Sequence, residues 1–177
     1  ILTISRKSEQ KSVVLSLQTL LKETLKLMRA TIPSNIEIVQ EIQSDCGRVT
    51  GDPTQLQQIV MNLMTNAFHA VEQSGGRIGV RLEEMVLGEE GMGGASLRRG
   101  RYAVITVSDT GYGIDSSIMD KIFEPYFTTK PQGKGTGLGL AVVYGIIQEH
   151  RGDIRVESAP GKGAVFDVIL PMTNEEP

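Results

Sequence analysis

The sequence predicts an α+β fold with helices on one face of a mixed sheet. Three observations carry this. Strand-like and helical segments do not alternate strictly along the chain, which argues against a doubly wound parallel sheet. The chain closes on two adjacent strand-like segments, a terminal hairpin. Apolar residues make up 40% of the 177, enough for one sizeable core.

The elements follow in order. Residues 1–11, "ILTISRKSEQK", read as the last turns of a helix running into a polar linker, and residues 12–177 as one domain. Ser16 is placed to cap a helix, "LQTLLKETLKLMRA", whose Leu17, Leu20, Leu21, Leu25 and Met28 recur at helical spacing. "IPSN" breaks it, and "IEIVQEI" alternates as a strand does. "GDPT" is a turn that sets Pro53 in a first helical turn, and the helix that follows runs to about Gln73. "SGGR" ends that helix. "RIGVRLEEMVL" and "RYAVITVSDT" are strands, joined by a loop or hairpin tip over 88–100. Residues 111–136 are mostly loop, with a short helix near "SSIMDKIF". A helix from about Leu138 to His150 leads into the hairpin "GDIRVESAPGKGAVFDVILP".

The formal charge of −3 gives no basic footprint for nucleic acid. The single cysteine, Cys46, rules out an internal disulfide and fits a reducing compartment. No apolar run is long enough to span a bilayer, so this segment is expected to be cytoplasmic and without membrane contact, with membrane anchoring of its parent protein left open.

Three stretches carry chemistry. The first is "GKGTGLGLAVVYG", with glycines at 133, 135, 137 and 139 running into a helix. Glycine permits positive φ and close approach, and a helix start offers unpaired N–H groups and partial positive charge. Together these suit a phosphate, although a plain loop before a helix has the same look.

The second is the helix "TQLQQIVMNLMTNAFHAVEQ". One face is apolar: Leu56, Ile59, Val60, Leu63, Met64, Ala67, Ala70 and Val71. Beside it runs a polar stripe of Gln55, Gln58, Asn62, Asn66 and His69, three or four apart. Solvated faces usually carry Lys and Glu, whereas this one is amides. An amide oxygen suits Mg²⁺, which shares its shell with phosphates and water. His69 reads equally as a phosphate donor or as an exposed histidine.

The third is "VITVSDTGYGID". Asp109 ends a strand beside Gly111 and Gly113, a setting in which a carboxylate can accept from an exocyclic amine while the glycines let a flat ring approach. Other nucleotide templates fail. Thr128 stands where a P-loop needs Gly, and Gly135 follows Lys134. The dinucleotide template meets Leu138 at its third glycine. No H-R-D, D-F-G, H-E-x-x-H or C-x-x-C occurs.

The set "NLMTNAFHA", "DTGYGI", "IFEPYFTTK" and "GKGTGLGLAVVYGII", in this order, resembles the ATP-binding catalytic domain of bacterial sensor histidine kinases, in the GHKL ATPase superfamily. The "FTTKPQGKGTGLGL" form is most similar to the nitrogen-regulation type. The resemblance covers nearly the whole chain and implies a two-layer α/β sandwich (the Bergerat ATP-binding fold) that uses ATP and Mg²⁺. By this resemblance Asn66 holds Mg²⁺, and Asn62 and Lys130 lie at the transferred phosphate. His69 is on the phosphate side. Asp109 accepts from the adenine amine, while Gly111, Gly113 and Ile114 shape the adenine pocket. Residues from about 116 to 134 form a lid hinged by Phe123 and Phe127. Gly135, Thr136, Gly137, Leu138 and Gly139 close on the phosphates.

The ATP-hydrolysing relatives place Glu where Asn62 stands. An amide is a poor general base, so transfer to a histidine fits better than hydrolysis. There are two departures: Ala164 replaces the family's frequent Thr in the last hairpin, and neither His69 nor His150 sits in a phosphoacceptor setting. The resemblance therefore implies a catalytic part, monomeric alone, that serves a phosphoacceptor histidine on an upstream dimerisation domain of a homodimeric parent and, beyond it, a response-regulator receiver. It implies no autophosphorylation by this chain alone. A serine kinase of the anti-sigma type and a degenerate nucleotide-binding or docking domain are the alternatives.

Overall fold

The computed structural model of the chain describes residues 12–88, 97–130 and 137–174. The expected upstream tail, 1–11, lies outside them. Strand β1 (Val13–Ser16) leads into helix α1 (Leu17–Thr31), followed by β2 (Ile36–Ile42), β3 (Arg48–Gly51) and helix α2 (Pro53–Val71). Strands β4 (Gly76–Leu87) and β5 (Gly100–Asp109) come next, then a 3₁₀ turn over Ser116–Lys121, helix α3 (Gly139–Glu149), β6 (Asp153–Ser158) and β7 (Ala164–Pro171).

The five-stranded sheet has the order β2-β4-β5-β7-β6. The β2–β4 pair is parallel and the other pairs are antiparallel. The sheet is therefore mixed, as the element order implies. Strands β1 and β3 were not legible as strands. They pair antiparallel in a separate ribbon, Val13 opposite Gly51 and Ser16 opposite Arg48.

Helix ends follow their sequence signals. The Ser16 hydroxyl accepts from the Thr19 N–H at 3.3 Å. Asp52 caps α2, accepting from the N–H groups of Thr54 at 2.8 Å and Gln55 at 3.4 Å, with Pro53 at the first position. At the far end of α1, Arg29 donates to the carbonyls of Ile32, Pro33 and Ile36, all within 2.9 Å. That guanidinium ties the cap of α1 to the turn after it and to the start of β2.

The core lies between the helices and one face of the sheet. Leu17, Leu21, Leu56, Ile59, Leu63, Met64 and Ile147 from the helices meet Ile78, Leu82, Ile105 and Val168 from the strands, all under 2% exposed. Each such side chain contributes about 1.5–3 kcal/mol of burial. The other sheet face carries a smaller cluster, Leu87, Tyr102, Val104 and Ile169, with Met85 and Leu97 against it. Tyr102 donates its hydroxyl to the Arg98 carbonyl at 2.6 Å, so the end of the β4–β5 connection folds over this patch.

The two helices beside the site are tied at their ends. His150, after α3, donates from Nδ1 to the Ile146 carbonyl at 2.8 Å and accepts from the Asp52 N–H at Nε2, 3.2 Å. One ring nitrogen thus serves each helix, and the imidazole bridges the end of α3 to the cap of α2.

Candidate functional site

Helix α2 buries its apolar stripe against the sheet, which leaves Asn62, Asn66 and His69 half-buried along one side. That side forms one wall of a cavity of about 780 Å³. Of the residues singled out in the sequence, Asn62, Asn66, His69, Asp109, Gly113, Ile114, Phe127, Lys130, Gly137 and Gly139 line it. Gly111 and Leu138 do not. Gly111 lies behind the wall, and Leu138 is the exposed residue before α3. Gly135 and Thr136 are outside the described residues.

Asp109 ends β5 inside this wall. Burial pushes its carboxyl above the usual range, while backbone N–H groups of Gly111 and Ala164 pull the other way. The Gly111 N–H reaches Oδ1 at 2.8 Å. The carboxylate is held in place by its own loop and still faces the cavity.

The glycines around it answer to protein neighbours. A side chain at Gly111 would strike the Ala70 carbonyl of α2. At Gly113, φ is +75°, and a side chain would strike the Ala159 carbonyl; at Gly163, φ is +70°, and it would strike the Asp109 carbonyl. The expectation was close approach to a flat ring. The structure also shows close approach of the β6–β7 turn to the 110–114 loop. Gly161 N–H donates to the Tyr112 carbonyl at 2.7 Å and Gly163 N–H to the Gly111 carbonyl at 3.0 Å.

On the α2 side, Asn62 donates from Nδ2 to the Gly139 carbonyl at 3.3 Å, which joins the amide stripe to the first turn of α3. Among the described residues the Asn66 amide has no protein hydrogen bond. Among the described residues no side chain caps α3, and its first turn has no acidic residue. Lys130 Nζ lies 2.6 Å from His69 Nδ1. Burial lowers the His69 pKa first and the neighbouring ammonium second; burial also lowers that of Lys130, with Glu72 opposing. The segment carrying Lys130 is anchored by Ile122, buried in the core, with Met119, Phe123 and Phe127 packed against it.

Several lining residues carried no sequence signal of their own, among them Thr65, Ile118, Thr129, Leu140 and Phe166. Ala70 was read as core, yet it stands one helical turn from Asn66 and faces the cavity. The clamp of Gly161 and Gly163 was also missed; the "PGKG" turn could have flagged it. Among the described residues no three His, Cys, Asp or Glu side chains gather as a metal-holding group. No helix among them is long and apolar enough to cross a membrane.

Residues 51–174 match the family described as histidine kinase-, DNA gyrase B-, and HSP90-like ATPase. The chain is 37% identical to the sensor kinase CckA of Brucella abortus (strain 2308), over 99% of this chain and 19% of that protein. It is 35% identical to the signal transduction histidine-protein kinase AtoS of Escherichia coli (strain K12), over 97% of this chain and 26% of that one. The chain thus spans only about a fifth to a quarter of the length of these curated relatives. Among solved structures it resembles the catalytic domain of histidine kinase ThkA, with a TM-score of 0.73 and 31% identity over 91% of this chain and 95% of that one. ThkA is also solved in complex with the response regulator protein TrrA (TM-score 0.71, 28% identity, 93% of this chain and 42% of that one).

Proposed function

The chain belongs to the histidine kinase-, DNA gyrase B- and HSP90-like ATPase family, and from that premise we propose that it is the ATP-binding catalytic unit of a sensor histidine kinase. In this reading it binds ATP with Mg²⁺ and passes the γ-phosphoryl group to a histidine on a dimerisation domain outside this chain. A receiver domain of a response regulator takes it onward, and the site works in the cytoplasm. The observation that carries the reading is one cavity lined both by Asp109, at a strand end, and by the amides of α2.

The residues present fit such a ligand. A volume of about 780 Å³ suits a nucleotide. Among the described residues the donor set offers amide oxygens and no cluster of three acidic or histidine side chains, which suits a metal that brings phosphate and water ligands, the habit of Mg²⁺. The uncapped start of α3 and the Lys130–His69 pair supply donors for an anion.

ATP supplies the transferable phosphoryl group, and Mg²⁺ neutralises charge on its oxygens. Asp109 accepts from an exocyclic amine and orients the base. Asn66 offers an amide oxygen to the metal. Asn62 joins that stripe to the start of α3, and Lys130 donates to a phosphate oxygen. Position 62 carries an amide rather than a carboxylate and so offers no general base to activate water there, which favours transfer over hydrolysis. Catalysis then rests on positioning and charge, as phosphoryl transfer allows. His150 has both ring nitrogens engaged and His69 lies in the cavity wall, so neither serves as acceptor.

Calorimetric titration with a non-hydrolysable ATP analogue, with and without Mg²⁺, tests this. Binding that needs Mg²⁺ and is lost in Asp109→Asn is expected. No binding by the wild-type chain overturns the reading.

A further inference from the structure

The loop that follows Asp109 has little of its own to hold it. Residues 110–114 leave the sheet at the end of β5, and Tyr112, Gly113 and Ile114 from this loop line the cavity. The hydrogen bonds that fix it come largely from the turn between β6 and β7. Two run backbone to backbone, from Gly161 to Tyr112 and from Gly163 to Gly111. Two more pass through one side chain. Ser158, the last residue of β6, accepts from the Ile114 N–H at 2.8 Å and donates its own proton to the Gly163 carbonyl at 2.7 Å.

The Ser158 hydroxyl therefore spans the clamp, with one partner on the turn and the other on the loop. Both partners are part-buried. Removing the hydroxyl strands a donor and an acceptor together, the costly way to lose a hydrogen bond. Gly113 and Gly163 have already brought the two backbones into contact, so the clamp has no slack in the closing direction. What the hydroxyl resists is opening, and opening moves Ile114 away from the cavity.

We propose that Ser158 is a positioning residue for base recognition. It does not touch the ligand; it sets where the Tyr112–Ile114 wall stands relative to Asp109. This rests on reading the cavity as an adenine nucleotide site. It has a consequence that a merely stabilising serine lacks: its loss acts on the base and is blind to the phosphates.

The test titrates the 177-residue chain and its Ser158→Ala and Ser158→Thr variants with adenosine, ADP and a non-hydrolysable ATP analogue, at a temperature where all three proteins are folded. Ser158→Ala is expected to weaken the three ligands by one common factor, roughly three- to tenfold. Ser158→Thr, which keeps the hydroxyl, is expected to restore affinity. Unchanged affinity in Ser158→Ala, or a loss confined to the phosphorylated ligands, overturns the proposal. Should Ser158→Ala not fold, amide exchange at Ile114 in the wild-type chain decides: slow exchange without ligand supports the clamp, and fast exchange overturns it. Failure of the wild type to bind any of the three ligands sinks the nucleotide reading itself, and is distinct from these outcomes.

Discussion

Lys130 Nζ lies 2.6 Å from His69 Nδ1, so two bases share one hydrogen bond in the cavity wall. The lysine comes from the segment after the 3₁₀ turn and the histidine from α2. An ammonium can only donate, so the imidazole accepts at Nδ1 and is neutral with its proton on Nε2.

That arrangement sets a pH dependence. The His69 pKa in the folded chain lies below its ordinary 6.5, by burial first and by Lys130 second. Between the two values the unfolded chain binds more protons, so stability rises with pH there. The contribution is present above about pH 6.5 and is lost as pH falls through the folded value. Thermal unfolding measured between about pH 5 and 8 should show a shallower slope in His69→Gln than in wild type. Equal slopes would contradict the assignment.

Lys130→Met should separate the two parts of the ligand. Losing a charge-assisted donor is expected to cost roughly tenfold or more in affinity for an ATP analogue. Adenosine should bind as it does to wild type. Titration with both ligands reads this directly.

Asp109 carries a cost and a use. Its pKa is raised above 3.8 chiefly by burial, so the folded chain holds that proton more tightly than the unfolded one. The group therefore favours folding more as pH falls, and burdens the fold at neutral pH, where it is charged. Asp109→Asn is expected to unfold at a higher temperature than wild type at pH 7 while losing the nucleotide. In wild type, affinity should decline on acidification before ordinary carboxylates titrate, because a protonated Asp109 accepts poorly. A pH series of titrations checks both.

Gly113→Ala and Gly163→Ala each place a methyl group against a backbone carbonyl, at φ of +75° and +70°. Each should destabilise the chain by roughly 2–4 kcal/mol in urea unfolding. Gly139→Ala, whose added methyl would meet nothing within 4 Å, serves as the mild comparison.

His150→Ala should act on stability alone. It removes the tie between α3 and the cap of α2 and leaves the Asp52 N–H and the Ile146 carbonyl without that partner, a loss of about 1–3 kcal/mol. Affinity for an ATP analogue, measured well below the unfolding temperature, should stay within about twofold of wild type, since His150 does not line the cavity.

Where local chemistry fixes structure, the sequence was legible. Ser16 caps the helix it was expected to start, Pro53 stands in the first turn of α2 as expected, and the apolar stripe of α2 is buried apart from Ala70, which faces the cavity. The amide stripe could be read because polar residues without charge stand out on a helix. What stayed hidden is tertiary. Strands β1 and β3 are four residues each and are strands only because they pair with one another across thirty-odd positions. Ser158 looks like any strand-end serine until the fold brings Ile114 beside it. Gly111 and Gly113 were read as positions where a flat ring approaches; the atoms that crowd them in the fold are those of Ala70 on α2 for Gly111 and of Ala159, before the β6–β7 turn, for Gly113, neither adjacent in sequence.

The β1–β3 ribbon gives the domain a mechanical input. A pull on the backbone ahead of Val13 meets its first cross-strand partner at Gly51, one residue before the Asp52 cap of α2. The same Asp52 N–H is gripped by His150 at the end of α3. Load entering there is shared at once between the helix that presents Asn62, Asn66 and His69 and the helix whose first turn Asn62 holds. The ribbon also meets the end of the five-stranded sheet, where the Thr173 N–H after β7 donates to the Arg48 carbonyl at 2.9 Å, so the last strand takes part of the same load.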